Sequence, residues 1–489
     1  MRLLQRLYQA KGLIRGPGLP TSSLPTSSQA IMREALALSR QLPTTPGAIA
    51  FVAHRDVDYL RNQWAIWLAN HIAVPLSTHS ARPEHLHILM DSGASHVIGH
   101  GSMNTSSLPI PSIDPAASAA INVTDADIQQ HLADLSLVAT ENAMLLYTSG
   151  TTGVPKGVLA THDSLLAQVE DVANAWELKS SDRLLHFLPL HHTHGIVNNL
   201  LAPLARGATV ECLTGSSPSE IWAKLSDEAN PVTVLMAVPS IYMLLLEAYE
   251  QMDAAFQARA KAGLKNLRVA ISGSMACPVS ILERWKELSD GQTLLERYGM
   301  TECGMALGNP LHGERHIGYV GQPFPSIQAR ISTGELQVRG PTLFKEYWKR
   351  PMETQKEWTD DGWFKTGDIA EYNAELASYR ILGRASVDII KSAGYKISAL
   401  EVEQAVLSHP DVLECAVYGV PDETWGQVVT AVCRTRDPAK PLSPPLADFL
   451  ADKVAKYKSP RKVHVVDAIP KNAMGKVNKK QLPALLDQN

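Results

Sequence analysis

The amino-acid sequence predicts an α/β protein, in which a large N-terminal domain of stacked β-sheets with flanking helices precedes a small, mobile α+β C-terminal domain. The first observation is length, because 489 residues exceed what one hydrophobic core normally organises, so at least two domains are expected. The second is an alternation of short apolar segments with amphipathic helical patterns, which is typical of mostly parallel sheets. The third is a change of pattern after Gly383, where a hairpin and a basic tail follow.

The large domain is expected over residues 29–384. Its predicted helices cover 29–43 and Tyr59 to Ala73, and its first predicted strands are Ala48 to Val52, Ala73 to Leu76 and His96 to Ile98. Thr161 or Asp163 can cap a further helix, because either side chain can accept a bond from a free backbone N–H. Later strands are predicted over 208–213, 232–236 and 267–272.

The small domain is expected over residues 385–489, with residues 383–386 as a hinge. Residues 387–391 and 395–397 have the pattern of a hairpin around Gly394. Ser398 and Glu401 have the spacing of a capping box, which predicts a helix that ends before Pro410. The basic tail carries Lys476 on a glycine-containing loop, which either reaches into another site or belongs to a solvated face.

Residues 1–28 differ in composition from the rest of the chain. They are basic, and no acidic residue occurs before Glu34. Leu3, Leu4, Leu7 and Tyr8 would share one face of a helix, and a Ser/Thr/Pro tract follows. This composition is typical of a mitochondrial transit peptide. A mitochondrial location is therefore expected, and a disordered leader on a cytoplasmic protein is the alternative.

Composition excludes several classes of protein. The net charge of −4 gives no reason to expect a nucleic-acid partner. Five widely spaced cysteines indicate neither a disulfide framework nor a metal site. The most apolar run, Val232 to Leu246, contains Pro239 and is too short for an integral membrane segment. The oligomeric state stays open.

A phosphate-binding loop is predicted between Met144 and Gly157. The apolar residues before Thr148 indicate a buried strand, and the loop after it ends at Lys156. Glycines let backbone N–H groups turn toward an anion, hydroxyls add donors, and the lysine adds positive charge. The small and hydroxyl residues of this loop are Thr148, Ser149, Gly150, Thr151, Thr152 and Gly153. A hydrophilic turn is the alternative, and the Walker pattern is absent because no Ser or Thr follows the lysine.

Three histidines occur in the segment LPLHHTHG, Leu188 to Gly195. No Cys, Asp or Glu lies near them in sequence to complete a metal site. A loop at the carboxyl end of a strand is the preferred interpretation, because ligands gather there in open α/β sheets. His194 is then the histidine expected to face a substrate, and a structural histidine is the alternative. Gly273 and Ser274, after another strand, could present backbone groups to a flat base.

The segment ERYGMTE, Glu296 to Glu302, is dense in candidate groups. Tyr298 offers a ring, Thr301 a hydroxyl and Glu302 a hard oxygen ligand for Mg²⁺. Arg297 is a cation in an apolar context, where a buried guanidinium is costly unless it is paired. Farther along, Asp368 could accept bonds from both hydroxyls of a ribose. Each acid alone would more often be a surface residue, and it is their succession that indicates a nucleotide site.

These motifs, in this order, resemble the acyl-adenylate-forming superfamily of acyl-CoA synthetases, luciferases and peptide-synthetase adenylation domains. The resemblance runs from about Ala48 to Leu482 and rests on YTSGTTGVPKG, YGMTE, TGD, GR, GYK and the terminal GK. Within the superfamily, LPLHHTHG, MAVPSIY, the SGS of 272–274 and ERYGMTE are similar to the malonyl-CoA synthetases.

The resemblance implies a two-step ligase reaction. Malonate and ATP would form malonyl-adenylate and pyrophosphate, and CoA would then displace AMP after rotation of the small domain. The implied catalytic residues are Lys156, Thr301, Glu302, Lys396 and Lys476, with Mg²⁺ on Glu302. The implied ATP-binding residues are the Thr148–Gly153 loop, Lys156, Gly273, Ser274, Tyr298, Thr301, Asp368 and Arg384. Gly394, Tyr395 and Lys396 would lie on the CoA side.

The acid substrate is inferred from Arg297. An arginine beside the adenylate could hold the second carboxylate of malonate in a bidentate pair, with His194 and Ser272 completing a polar pocket. Methylmalonate or another short- or medium-chain acid is the alternative. A peptide-synthetase module is less favoured because no carrier domain follows Lys476 in this sequence. A non-catalytic ATP- or CoA-binding regulator is less favoured because the candidate catalytic groups are present. Relatives usually carry a longer N-terminal section, and Ala393 and Ser386 depart from common family residues.

Overall fold

The computed structural model describes residues 2–16, 25–99, 108–118, 121–138, 140–148, 155–471 and 477–486. It confirms the α/β class: a large domain holds sheets of nine, seven and four strands, and a small domain holds sheets of two and three strands. None of the helices in these ranges is long and apolar enough to cross a membrane.

The helices follow in chain order. They are α1 Arg2–Ala10, α2 Ser28–Ser39, α3 Val57–Leu68, α4 Arg82–Ser92, α5 Asp125–Val138, α6 His162–Ala175, α7 Ala202–Ala205, α8 Pro218–Leu225, α9 Pro239–Glu250, α10 Ala254–Leu264, α11 Val279–Leu288, α12 Pro351–Lys356, α13 Ala399–Leu407, α14 Leu446–Leu450 and α15 Leu482–Leu486. A π-helix, His194–Leu201, precedes α7. As predicted, Thr161 caps α6, and its hydroxyl accepts a bond from the Ser164 N–H.

The strands are numbered in the same way. They are β1 Leu13–Arg15, β2 Thr26–Ser27, β3 Ala48–Val52, β4 Ile72–Leu76, β5 His96–Ile98, β6 Ser112–Ile113, β7 Asn142–Thr148, β8 Lys156–Thr161, β9 Arg183–His186, β10 Thr209–Cys212, β11 Val234–Ala237, β12 Val269–Gly273, β13 Leu295–Met300, β14 Gly304–Gly308, β15 Gln322–Pro323, β16 Gln328–Ser332, β17 Glu335–Arg339, β18 Glu346–Tyr347, β19 Phe364–Asn373, β20 Ser378–Arg384, β21 Ile389–Ser392, β22 Tyr395–Ser398, β23 Val412–Asp422, β24 Gly426–Thr435 and β25 Lys462–Val465.

The nine-stranded sheet creates the edge at which the candidate site forms. Its order is β15-β14-β13-β12-β11-β9-β10-β1-β2, and the run from β13 to β1 is parallel. The carboxyl ends of β9, β11, β12 and β13 therefore lie side by side, at the edge where open α/β sheets bind ligands. The seven-stranded sheet, β18-β8-β7-β4-β3-β5-β6, contributes to the same hydrophobic core.

Residues 2–16 contradict the expectation of a transit peptide or disordered leader over 1–28. Helix α1 buries Leu3, Leu4 and Leu7 completely, and β1 pairs in parallel with β10 inside the nine-stranded sheet. The apolar face that suggested an import signal is thus a packing face of the large domain.

The small domain has its own core and the predicted hairpin. Strands β21 and β22 pair with Ile390 opposite Ile397, and α13 packs on the antiparallel pair β23–β24. The Ser398 hydroxyl accepts a bond from the Glu401 N–H, as a cap requires. The Glu401 carboxylate instead pairs with Lys458 at 2.6 Å. Of the two bonds of the predicted capping box, the described contacts therefore include only the one from the Glu401 N–H to the Ser398 hydroxyl.

Candidate active site

A cavity of about 460 Å³ lies between the two domains, at the carboxyl edge of the nine-stranded sheet. The large domain contributes Ser272, Ser274, Arg297, Tyr298, Asp368 and Arg384 to its wall. The small domain contributes Asp388, Glu403, Glu414, Lys471 and Lys479. Residues that are distant in sequence therefore share one space, as the predicted nucleotide and acid sites require.

Arg297 lies deep in this cavity with little compensation for its charge. Its side chain crosses Gly273 so closely that a Cβ there would be 2.4 Å from the Arg297 Nε. Nη2 donates to the Ser274 hydroxyl at 3.3 Å, and Nε finds no acceptor within the described parts of the chain. Burial lowers the pKa of Arg297 to about 9, so the guanidinium remains charged at neutral pH. The residue is a buried cation with an unfilled bonding capacity.

His194 opens the π-helix and lies beside the same hydroxyl. Its Nδ1 is 3.5 Å from the Ser274 Oγ, at the outer limit of a hydrogen bond. Burial, together with the charge of Arg297, holds the pKa of His194 well below its usual value, so the ring is neutral. Ser272 also lines the cavity, but it is Ser274 that contacts both Arg297 and His194. Ser274 adopts φ +73°, a left-handed conformation that is uncommon outside glycine.

The three residues predicted for the nucleoside lie together. Asp368 and Arg384 are opposite each other in the β19–β20 pair, and Arg384 Nη1 is 3.3 Å from Asp368 Oδ1. The Tyr298 hydroxyl donates to Asp368 Oδ2 at 2.5 Å. Burial alone would lower the pKa of Arg384, but Asp368, with smaller contributions from Tyr298, Glu302 and Tyr347, outweighs it and raises that pKa. The geometry offers a carboxylate held between two donors.

Glu302 lies in the turn between β13 and β14, directly after Thr301. Its side chain is buried, and Oε1 accepts a bond from the Tyr347 hydroxyl at 2.9 Å. Burial raises the pKa of Glu302, and the Tyr347 bond opposes that effect. In the described ranges, no group of three or more His, Cys, Asp and Glu residues could hold a metal. A single carboxylate suits Mg²⁺ bound together with nucleotide phosphates, so Glu302 fits that ion.

The base of the predicted phosphate loop is a β-hairpin. Thr148 at the end of β7 is opposite Lys156 at the start of β8. Ser149, Gly150, Thr151, Thr152 and Gly153 lie outside the described residues. Lys156 Nζ forms an ion pair with Glu353 and lies 5.4 Å from the centre of the Tyr347 ring. Tyr347 thereby contacts both the predicted phosphate-binding lysine and the predicted magnesium ligand.

The CoA-side residues and the terminal lysine are placed differently. Tyr395 and Lys396 are exposed, and open space surrounds Gly394. Tyr395 stacks on Tyr457 at 4.3 Å, and the described cavity wall does not include residues 394–396. Lys476 lies outside the described residues. The chain on either side of it meets at a bridge between Lys471 and Val477, and both of these residues line the cavity.

Sequence reasoning missed three side chains that contact the candidate site: Tyr347, Glu353 and Lys479. Tyr347 belongs to an aromatic pair, a pattern that more often indicates packing. Glu353 lies on a short surface helix, and Lys479 belongs to the basic tail, for which a solvated face is one of two sequence-based interpretations. Each acts through a contact with a residue far away in the sequence, so no local pattern could have found it.

Comparison with known proteins defines the class. The family model described as "AMP-binding enzyme" matches residues 29–348, and the "AMP-binding enzyme C-terminal domain" matches residues 401–476. The chain belongs to the AMP-binding enzyme family, which confirms the resemblance to adenylate-forming enzymes. It is 41% identical over 480 residues to the mitochondrial malonate–CoA ligase of Xenopus laevis, covering 90% of this chain and 82% of that one.

Solved structures of similar enzymes share the fold of this chain. ATP-bound MatB from Rhodopseudomonas palustris superposes with a TM-score of 0.82 at 28% identity, covering 99% of this chain and 98% of that chain. A malonyl-CoA ligase product complex with methylmalonyl-CoA and AMP gives 0.66 at 33% identity, covering 95% and 97%. The higher TM-score therefore belongs to the ATP-bound structure, although its sequence identity is the lower of the two.

Proposed function

We propose that this protein is an AMP-forming malonate–CoA ligase. It converts malonate and ATP into malonyl-adenylate and pyrophosphate, and CoA thiol then displaces AMP to give malonyl-CoA. The observation that carries the choice of acid is Arg297, a buried guanidinium with no carboxylate partner among the described residues, on the wall of the cavity. Similarity to the Xenopus laevis malonate–CoA ligase supports the same substrate.

Arg297 selects a dicarboxylic acid. The distal carboxylate of malonate presents two oxygens to the guanidinium, and the near carboxylate is left free to attack ATP. Ser274 orients the guanidinium, and neutral His194 adds a polar contact without adding charge. A monocarboxylic acid leaves Arg297 unpaired, at a cost of roughly 3–5 kcal/mol. That cost corresponds to more than about two decades of discrimination.

The large domain binds ATP along the carboxyl edge of the sheet. Asp368 and Arg384 bind the ribose, and Thr301 contacts the α-phosphate. The loop from Thr148 to Lys156 holds the β- and γ-phosphates, and Gly273, Ser274 and Tyr298 contact the nucleoside. When phosphates bind, Lys156 must exchange the Glu353 carboxylate for a phosphate oxygen. Glu302 would hold Mg²⁺ beside the phosphates, where the ion would supply positive charge.

The small domain serves the two steps in turn, with a hinge over residues 383–386. Lys476 stabilises the charge that develops as the adenylate forms. After rotation, Gly394, Tyr395 and Lys396 face the active site and line the path of the CoA arm. In the present structure Tyr395 and Lys396 are exposed, and the TM-score is higher against the ATP-bound structure than against the product complex. Both observations support the proposal that the present domain arrangement is that of the first step.

We propose a mitochondrial location, because the name of the similar malonate–CoA ligase from Xenopus laevis describes it as mitochondrial. Because α1 and β1 belong to the large domain, residues 2–16 stay in the mature enzyme. Cell fractionation combined with mass spectrometry of the native N-terminus tests both statements. A cytoplasmic protein, or a native chain that starts near residue 28, would contradict them.

An acid panel tests the choice of substrate. Purified protein with ATP, Mg²⁺ and CoA is given malonate, methylmalonate, sulfoacetate, acetate or hexanoate, and AMP release is measured for each. We expect malonate to give the highest kcat/KM and both monocarboxylic acids to fall at least about 10²-fold below it. A higher value for methylmalonate identifies the alternative substrate, and activity restricted to hexanoate excludes a role for Arg297 in selecting the acid.

A further inference from the structure

Lys479 forms two ion pairs that have no part in the proposed catalytic mechanism. The side chain is only 10% exposed, and its Nζ lies 2.6 Å from Asp388 Oδ1 and 2.7 Å from Glu403 Oε1. Burial alone would lower the pKa of this ammonium group, but the two carboxylates outweigh burial and raise it. One lysine is therefore held, charged, between two acids from different elements.

Both acids are themselves fixed by the backbone. Asp388 Oδ2 accepts the Arg384 N–H at 3.0 Å, and Glu403 Oε1 accepts the Val417 N–H at 2.7 Å. Gly383 makes the first contact possible, since a Cβ there would lie 2.5 Å from the Asp388 Cβ. Lys479 thus connects the segment after the hinge to helix α13 and strand β23.

The same lysine follows shortly after Lys476, whose segment 472–476 lies outside the described residues. The described residues on either side of that segment, here called the flanking base, are joined by the Lys471–Val477 bridge and by a bond from the Asn478 N–H to the Pro470 carbonyl at 3.0 Å. The flanking base is also held by the ion pair between Lys471 and Glu414 at 2.5 Å. Two residues beyond Val477, Lys479 connects it to Asp388, which accepts a bond from the hinge residue Arg384.

We infer that Lys479 is a positioning residue for adenylate formation, which anchors the flanking base on either side of Lys476 to the hinge, at the backbone of the ribose-binding Arg384. The inference rests on the proposed two-step function. The Arg384–Asp388 bond joins a hinge residue to the segment after the hinge, so rotation of the small domain about residues 383–386 alters it. The anchor therefore acts in the adenylate-forming arrangement, and CoA transfer does not depend on it.

The test separates the two half-reactions. Malonate-dependent ATP–pyrophosphate exchange reports adenylation, and CoA transfer from synthetic malonyl-adenylate reports the second step. In Lys479→Met we expect exchange to fall by about 10²-fold, as a small misplacement of a catalytic group can cause. Transfer should stay within about two-fold of the unmodified enzyme. Lys462→Met, which removes an exposed lysine of the same domain, should change neither rate.

A second variant covers the case in which Lys479→Met unfolds the small domain. Asp388→Asn keeps the Lys479–Glu403 pair and weakens only the connection to the hinge, and we expect about a tenfold loss of exchange with transfer unchanged. Equal losses in both half-reactions would assign the cluster to folding alone and overturn the inference, as would unchanged exchange in folded Asp388→Asn. If the unmodified enzyme prefers another acid, the proposed substrate fails and the same ratios are measured with that acid.

Discussion

Two basic side chains in the wall of one cavity have opposite surroundings: Arg297, which is buried, and Lys479, whose side chain is 10% exposed. Arg297, on strand β13, has a serine hydroxyl as its described partner and no carboxylate in the described contacts. Lys479, in the small domain, is held between two carboxylates. Burial lowers the pKa of Arg297, whereas the acids raise the pKa of Lys479.

The difference separates binding from positioning. A buried charge without a counter-ion destabilises the fold until a ligand supplies one, so it marks a place for an anion. A buried charge that is already neutralised has no capacity left for a substrate, but it fixes the elements that carry its partners. Low exposure of a positive charge is common to both side chains and does not distinguish them. The presence or absence of carboxylate partners does.

The largest expected effect concerns the substrate. Arg297→Met should lower kcat/KM for malonate by more than about 10²-fold, because the distal carboxylate loses its partner. Steady-state AMP release at varied malonate measures the effect. Lys462→Met serves as the control for loss of one positive charge. An unchanged kcat/KM in Arg297→Met would show that this guanidinium does not bind the acid.

Stability should change in opposite directions. Arg297→Met removes an uncompensated buried charge and should raise the free energy of unfolding by roughly 3 kcal/mol at pH 7.5. Lys479→Met leaves two buried carboxylates together and should lower it by roughly 3–5 kcal/mol. Urea unfolding of both variants measures the changes. If the two variants shift in the same direction, the distinction between the sites fails.

A smaller effect is expected in the pH dependence of the free energy of unfolding. Burial raises the pKa of Glu296, next to Arg297 in sequence, to about 7. Because the folded pKa lies above the unfolded one, the stability due to the protonated acid is lost as pH rises through about 7. Glu296→Gln should therefore lose about 2 kcal/mol less stability than the unmodified protein between about pH 5.5 and 8. The control variant Glu375→Gln, at an exposed position, should have the same stability profile against pH as the unmodified protein. Identical profiles for all three proteins would contradict a raised pKa of Glu296.

Much of the fold was predictable because its signals are local. Strands β3 and β5 begin and end at the predicted residues, and Thr161 and Ser398 cap the predicted helices. Helix α3 ends at Leu68 rather than Ala73, since β4 already begins at Ile72. Around the site, β12 and β13 pair directly and bring Ser274 to Arg297, two residues that motifs had already identified.

The remaining features depend on contacts that sequence patterns do not encode. Tyr347 reaches Glu302 from another sheet, and Lys479 meets Asp388 across 91 residues of chain. The first helix was misassigned for a related reason. An amphipathic pattern shows that a helix has an apolar face, and it does not show whether a receptor or the protein itself covers that face.

The placement of α1 and β1 has a practical consequence for preparing the protein. A version trimmed to begin at residue 29, as removal of a supposed import signal would suggest, loses β1, which is one of the two partners of strand β10, and the helix that packs on α6. The bare strand edge and the uncovered apolar surface are features that promote aggregation. Poor solubility of such a version would reflect a missing part of the sheet, and restoring residues 2–16 should correct it.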